Sequence, residues 1–176
     1  SAELLNVDKP SQCDMVYMRR APQFDHLFPA GPMAPAAWKT LSAMGINAEN
    51  NPRIKLDIEH REKKSPRAFC SPVRVPDEVY LVIMPHGGAD DYSSFLHELG
   101  HTLHFAYTAG ELPVAARFLG DNSVTEGHAG LIERLAVNPL WLADALGEQD
   151  YSEYIRFSEF FELYMLRRYS AKLKYE

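Results

Sequence analysis

Several features of secreted, membrane-bound and disulfide-stabilised proteins are missing from this sequence. It has only two cysteines, Cys13 and Cys70, which do not form a Cys-x-x-Cys pair and are too few for a disulfide framework. Residues 1–5 carry no positively charged segment leading into an apolar one, so we expect no signal peptide. No stretch approaches the roughly 18 consecutive apolar residues that a membrane-spanning helix requires. These absences favour a reduced, cytoplasmic compartment.

Basic residues are also too few for a protein that binds nucleic acid or an anionic membrane. The 176 residues include 18 Lys and Arg against 24 Asp and Glu, which gives a formal net charge of -6. The longest cationic run, residues 61–64, is interrupted by Glu62, and we expect it to be a solvated turn at a strand end. A chain of this length with 46% hydrophobic residues can bury the core of one domain, which we expect to span residues 1–176.

Hydrophobic periodicity predicts an α+β fold that is mostly helical. Residues 1–32 contain four prolines and are expected to be irregular. Apolar residues alternate at 53–60, and apolar segments at 65–75 and 79–84 complete a small antiparallel or mixed sheet of about three strands. The predicted helices cover residues 33–44, 91–107 with Asp91 as the N-cap, 123–137, 139–146 and 148–176.

The strongest motif is H-E-x-x-H at residues 97–101. Histidines four residues apart on a helix lie one turn apart on the same face, so the imidazoles of His97 and His101 can bind one zinc ion. Glu98 follows the first ligand directly and is placed beside the metal rather than on it. The spacing therefore predicts Glu98 as the general base that activates a water molecule for hydrolysis.

A catalytic zinc site needs a third protein ligand and keeps one position open. The metzincin pattern is excluded because it requires Gly at position 104 and His at position 107, where this chain has His104 and Tyr107. Glu111 follows the helix too closely to fold back onto the metal. Glu126, 25 residues beyond His101, opens the next helix, and a loop is enough to bring that helix against the first. We therefore predict Glu126 as the third ligand beside the two motif histidines.

The helix that begins near Glu126 carries further support for this ligand. Glu133 lies two turns later on the same face, where it can accept a hydrogen bond from the N–H of a ligand imidazole. Ala129 and Gly130 lie between the two glutamates, and their small size would let the two helices pack closely. We expect His104 to pack behind the ligands rather than bind the metal, because a catalytic site keeps one position open.

Four separated blocks of the sequence together match the motif pattern of one known protein family. Ala-Phe-Cys at residues 68–70 follows Ser-Pro-Arg, Asp91 lies six residues ahead of the first motif histidine, residues 97–104 read H-E-x-G-H-x-x-H, and Glu133 follows Glu126 by seven. Together these blocks resemble the catalytic core of the thimet oligopeptidase and oligoendopeptidase F family of zinc metallopeptidases.

The resemblance covers residues 53–137 and implies a zincin-like core with one zinc ion per chain. It implies a peptidase that hydrolyses short peptides with the three ligands and the base already predicted. It also implies that the strand ahead of the zinc helix pairs with an extended substrate through main-chain hydrogen bonds. The substrate-binding residues would then be Val82, Met84, Gly87 and Gly88.

This chain also departs from that family. Its members are several-fold longer, so we expect these residues to be the core of a longer enzyme. Helix 148–176 would then be truncated, with the remainder of the chain or a second copy as its partner. The family's segment of His and Tyr residues that stabilises the oxyanion has no counterpart here. Two alternatives therefore stay open: a zinc-binding fragment that cannot turn over, and a helical interaction module whose H-E-x-x-H is accidental.

Overall fold

The computed structural model describes residues 11–118 and 120–175, without the side chains of Gln12 and Cys13. Helices surround one small sheet, which confirms a mostly helical α+β fold. The elements are α1 (Gln12–Arg19), α2 (Met33–Ala43), β1 (Ile54–Asp57), β2 (Phe69–Arg74), β3 (Glu78–Val82), α3 (Ala89–Ala106), α4 (Val114–Phe118), α5 (Asn122–Glu133), α6 (Pro139–Leu146) and α7 (Ser152–Tyr175), with 3-10 helices at Pro22–Leu27 and Arg134–Val137.

The prediction that the N-terminal segment is irregular is wrong for residues 12–27, while residues 1–10 lie outside the described part of the chain. Helix α1 begins with a capping box, in which the Ser11 hydroxyl accepts from the main chain of Asp14 and the Asp14 carboxylate accepts from the main chain of Ser11. Pro22 opens a 3-10 helix instead of interrupting one. The number of prolines was therefore a poor indicator of irregular structure in this segment, because the first turn of a helix tolerates proline.

The three strands form a mixed sheet in the order β1–β3–β2. Strand β3 pairs in parallel with β1, where Ile54 lies opposite Val79, and antiparallel with β2, where Cys70 lies opposite Leu81. The central strand is the most buried of the three, and Val79 and Leu81 are fully inaccessible to solvent. Three strands were predicted, and the structure confirms that number within the described residues.

Helix α3 runs through the centre of the molecule and supplies much of its core. Its fully buried side chains recur at helical spacing, which places one face of the helix against the sheet and the other against α5 and the N-terminal elements. Phe95 packs edge-on against Trp38 of α2, and Tyr92 packs edge-on against Phe28. The fully buried residues of α3 are Tyr92, Phe95, Leu96, Leu99, Thr102 and Ala106.

The start of α3 differs from the predicted one. Gly88, not Asp91, is the N-cap, with a φ of 100° that favours glycine. The Asp91 carboxylate lies in the first turn and accepts hydrogen bonds from the main-chain N–H groups of His86 and Gly87 at 2.6 and 2.9 Å. Asp25 reaches the same helix end from the N-terminal segment and accepts from the N–H of Ala89 at 3.2 Å. Two carboxylates therefore hold the helix N-terminus, where negative charge is favourable.

The loop after β1 closes around a buried lysine. The side chain of Lys64 is only 3% exposed, and its ammonium group lies within 2.9 Å of four oxygen atoms: the carbonyls of Asp57, Glu59 and Ile83 and the Asp57 carboxylate. Hydrogen bonds from Arg61 and Lys64 hold the pKa of Asp57 well below its usual value. The expectation of a solvated turn at residues 61–64 is therefore wrong for Lys64, which ties β1 to the end of β3.

Helix α7 is packed only along part of its length. Tyr154 and Phe161 are buried, and Tyr154 meets Phe24 edge-on with ring centroids 5.7 Å apart. Further along, Leu163, Leu166 and Leu173 are more than half exposed. None of the described helices is long and apolar enough to cross a membrane.

Replacing Lys64 by methionine keeps the apolar part of the side chain and removes its charge. We expect the free energy of unfolding to fall by about 2–3 kcal/mol, because several part-buried acceptors lose a charged donor. Urea denaturation of the two proteins measures the difference. Lys63→Met, at the exposed neighbouring position, is the matched control, and an equal change in both variants would contradict the structural role of Lys64.

Candidate metal centre

The contact between helices α3 and α5 requires a glycine. A Cβ added at Gly100 would lie 2.5 Å from the Cα of Ala129 and 2.7 Å from the carbonyl oxygen of His128. The two backbones therefore touch at this point with no room for a side chain. Ala129 was predicted as a small contact residue and is fully buried here, whereas a Cβ at Gly130 would meet nothing within 4 Å. The close approach thus depends on Gly100 and Ala129, and not on Gly130.

This contact brings the three predicted ligands together. The Nε2 atoms of His97 and His101 lie 3.2 Å apart, and the Glu126 carboxylate oxygens lie 3.5 Å from the first and 3.7 Å from the second. Donor atoms around a tetrahedral zinc ion with bonds of ~2.0–2.1 Å lie about 3.3 Å apart. The three side chains therefore form a group that could bind a metal ion, and they fit zinc in both donor type and spacing.

The other nitrogen of each imidazole is already engaged. Nδ1 of His97 lies 2.8 Å from the Glu133 carboxylate, which also accepts a hydrogen bond from the Ser93 hydroxyl at 2.5 Å. Nδ1 of His101 lies 2.9 Å from the hydroxyl oxygen of Thr125. These contacts orient both rings so that their Nε2 atoms face the same point. The sequence predicted Glu133 but missed Ser93 and Thr125, although Ser93 lies one turn ahead of His97 and Thr125 directly precedes Glu126, the predicted glutamate ligand.

Charge at Glu133 affects the neighbouring imidazole. The hydrogen bond to Glu133 is the main cause that raises the pKa of His97 above its ordinary value. Burial acts to raise the pKa of Glu133 itself, but hydrogen bonds from His97 and Ser93 outweigh burial and leave that pKa below its usual value. Glu133 is therefore ionised at neutral pH and increases the basicity of the His97 ring, which favours metal binding.

Glu98 lies beside the ligand group without belonging to it. Its carboxylate accepts a hydrogen bond from the main-chain N–H of Cys70 on β2 at 2.9 Å, and its carbonyl oxygen accepts from the Thr102 hydroxyl at 2.8 Å. The carboxylate is thus held between helix α3 and the sheet. Burial raises the pKa of the Cys70 thiol to about 11, so this cysteine stays protonated at neutral pH and is a poor nucleophile.

The predicted substrate strand is not at an edge of the sheet. Val82 pairs with Asp57 on one side and with Phe69 on the other, so β3 has no free edge for an added peptide, and the prediction for Val82 is wrong. The outer edge of β2 has no strand partner among the described residues. Because the N–H of Cys70 points to Glu98, the main-chain groups of this residue face away from β3 and toward the candidate site.

The other predicted substrate contacts are also placed elsewhere. Met84, Gly87 and Gly88 do not line the cavity beside the ligands. A Cβ at Gly87 would lie 2.9 Å from the carbonyl oxygen of Phe28, and one at Gly88 would lie 2.5 Å from the Asp25 carboxylate. Both glycines therefore serve the packing of the α3 N-terminus against the N-terminal segment.

His104 packs against neighbouring aromatic rings and is not part of the ligand group. Its ring stacks on Phe105 and on His128, with centroids 5.3 and 5.0 Å apart. Among the described residues it makes no side-chain hydrogen bond to a ligand, and its Nδ1 atom is buried without a partner. Burial lowers the pKa of His104, so the ring is neutral at neutral pH.

A cavity of about 570 Å³ adjoins the ligand group. One wall consists of His97, Glu98 and Glu133, and the opposite walls come from the end of α1 and from α7. The Glu126 side chain is 60% exposed, so the ligand group is also accessible from solvent. The arrangement places a candidate metal ion and a carboxylate base next to a space large enough for a small ligand.

Comparisons with protein-family models, with curated protein sequences and with solved structures found no match for this chain. The assignment of the site therefore depends on its geometry and on the sequence motifs.

Replacing Gly100 by alanine tests the helix contact on which the ligand group depends. We expect a loss of about 1–3 kcal/mol in the free energy of unfolding, because the added methyl group overlaps the α5 backbone. Gly127→Ala is the matched control in α5, where a Cβ would meet nothing within 4 Å. That change should stabilise the protein by up to about 1 kcal/mol through helix propensity. Thermal or urea unfolding that ranks the two variants in the opposite order would contradict the contact.

Proposed function

We propose that this chain is the catalytic core of a zinc-dependent metallopeptidase. The observation that carries the proposal is the convergence of two imidazole Nε2 atoms and the Glu126 carboxylate, with Glu98 adjacent and outside the ligand group. Three protein ligands with one position left open are typical of catalytic rather than structural zinc sites. The resemblance of residues 53–137 to the thimet oligopeptidase and oligoendopeptidase F family supports the same activity and a zincin-like core.

Different residues of the chain would have different roles in peptide hydrolysis. A bound zinc ion supplies Lewis-acid polarisation of the scissile carbonyl and makes a water molecule more acidic. Glu98 accepts the proton of the attacking water and then donates it to the leaving nitrogen. The N–H of Cys70 keeps the Glu98 carboxylate in place at the edge of β2. Glu133 and Thr125 fix the orientations of the two imidazole rings through their Nδ1 atoms.

An extended peptide would bind along the outer edge of β2. Main-chain hydrogen bonds to an edge strand give affinity with little dependence on side chains, which suits a peptidase for varied short peptides. The position of Cys70 supports this edge, because its N–H faces away from β3 and meets the proposed base. The Cys70 N–H is donated to Glu98 and Pro72 has no N–H, so the main-chain groups that this edge would offer a peptide at these two positions are carbonyl oxygens.

Zinc content tests the ligand set. Protein dialysed free of loose metal should keep about one zinc per chain, and Glu126→Ala should weaken zinc affinity by at least about 100-fold because a direct ligand is lost. Glu111→Ala changes an exposed glutamate of the nearby loop and is the matched control. An unmodified chain without zinc at neutral pH would contradict the proposal and favour a helical interaction module with an accidental motif.

Peptide cleavage tests the base. Glu98→Gln should keep its zinc and lose about 100- to 10,000-fold in the rate of peptide hydrolysis, because the amide cannot accept the proton of the water. Glu49→Gln, at an exposed position in the loop ahead of β1, is the control. If the unmodified chain holds zinc but releases no product detectable by mass spectrometry, the result would indicate a zinc-binding fragment that cannot turn over.

A further inference from the structure

The last part of helix α7 extends beyond the body of the molecule. Phe161 is its last buried residue, and every residue from Leu166 to Tyr175 is exposed. Residues 166–175 make about three helical turns, whereas an isolated helix needs roughly 12–15 residues to be even marginally stable in water. This end of the helix therefore lacks the tertiary packing that normally stabilises a helix.

Three leucines form an apolar stripe along the exposed side of this helix. Leu163, Leu166 and Leu173 are each more than half exposed, and their spacing places them on one face, turned away from the buried Phe161. The same spacing is found at the seam positions of a two-stranded coiled coil. We call these three residues the leucine face. Large apolar side chains that share one exposed face indicate an interaction surface, unlike single scattered ones.

The charged residues of α7 are segregated along the helix. Residues 152–165 include more acidic than basic side chains, and residues 167–175 include basic ones only. The charged members are Glu153, Arg156, Glu159 and Glu162 in the first segment and Arg167, Arg168, Lys172 and Lys174 in the second. A helix whose two halves carry opposite charge is complementary to a copy of itself that runs in the opposite direction.

Antiparallel contact between two copies of α7 would bury the leucine face and bring opposite charges together. If the helices cross at Leu166, Glu159 of one copy lies beside Leu173 and Lys174 of the other. A parallel pair would place Glu159 beside Glu159 and Lys174 beside Lys174, where like charges repel. The antiparallel contact is the same on both copies and has two-fold symmetry, so the assembly closes as a dimer.

An anionic membrane is the other surface that a helix with leucines and a basic end could contact. The acidic half of α7 argues against a membrane. Glu159 lies two turns ahead of Leu166 on the same side of the helix, and an anionic surface would repel it. The charge along the whole helix therefore favours a second copy of the chain as the partner.

We propose that two copies of this chain form a dimer through antiparallel contact of their α7 helices, with the leucine face as the seam. The inference does not depend on the proposed peptidase function. It does bear on the candidate site, because Phe161, Glu162 and Met165 of the same helix line the cavity beside the ligand group. A second copy packed against α7 would therefore hold one wall of that cavity in place.

Sedimentation equilibrium of the full chain tests the dimer. At micromolar concentrations the parent should show twice the 19.9 kDa mass of one chain. Leu166→Ser should weaken association by about tenfold or more, because each dimer loses two leucines from its seam. Leu140→Ser, at a leucine of α6 that is 82% exposed, is the matched control and should leave association unchanged.

Two results of this experiment would overturn the proposal. One is a parent chain that stays monomeric at about 100 μM, which corresponds to an affinity too weak for a specific dimer. The other is an equal effect of the two leucine substitutions. Because Leu166 is exposed in the single chain, thermal unfolding of Leu166→Ser should match that of the parent at concentrations where both are monomeric, which separates lost association from lost folding.

Charge reversal tests the pairing of acidic and basic halves. Glu159→Lys should weaken association by about threefold, and added salt should weaken association of the parent, because exposed charges are screened. Glu153→Lys makes the same change in net charge at an exposed position turned away from the leucine face and is the matched control. Equal association of these two variants and the parent would contradict the charge pairing.

Disulfide trapping tests the direction of the helices. In a chain with Cys13 and Cys70 replaced by serine, Glu159→Cys is mixed with Leu173→Cys and oxidised mildly. Antiparallel contact should give disulfides mainly between the two different variants, because positions 159 and 173 lie at equal distances on either side of Leu166. Mass spectrometry distinguishes these products from disulfides between identical chains, whose predominance would overturn the antiparallel arrangement.

Vesicle co-sedimentation tests the membrane alternative. The parent chain should not bind vesicles of phosphatidylcholine, whether or not phosphatidylserine is added. Binding of a monomeric chain to the vesicles with phosphatidylserine, and not to phosphatidylcholine alone, would overturn the dimer and assign the leucine face to an anionic membrane surface.

Discussion

The contact of two helix backbones at Gly100 and Ala129 is the constraint on which the site depends. A side chain at Gly100 would push α5 away from α3, and the short Glu126 side chain would then no longer reach the two imidazoles. The same separation sets the 2.8 Å contact between His97 and Glu133. Ligand spacing and ring orientation are therefore consequences of one close approach between helices.

Two carboxylates lie next to the two imidazoles of the candidate metal site. The Glu126 carboxylate lies beside the Nε2 atoms of the two imidazoles, and the ionised Glu133 lies directly behind His97. Thr125 holds the second ring through a neutral hydroxyl, so only one of the two rings gains basicity from a carboxylate. A divalent cation at this group would offset the negative charge of the two carboxylates.

The remainder of the fold holds α3 and its surroundings in place. Asp25 and Asp91 fix the beginning of the helix, and the buried Lys64 ties β1 to the end of β3. The sheet in turn brings the Cys70 N–H to Glu98, so the edge of β2 and the proposed base form one surface. The N-terminal segment completes the opposite wall of the cavity, and elements far apart in sequence thereby contribute to a single site.

Helix faces were determined by the sequence itself, because helical periodicity is local. His97 and His101 are one turn apart and Glu126 and Glu133 are two, so each pair shares a face wherever the helices lie, and the structure brings these residues together. Strand order and the partners of Ser93, Thr125 and Lys64 were decided only by the tertiary structure. The insertion of β3 between β1 and β2 depends on pairing between segments separated by many residues, and no local pattern encodes which edge stays free.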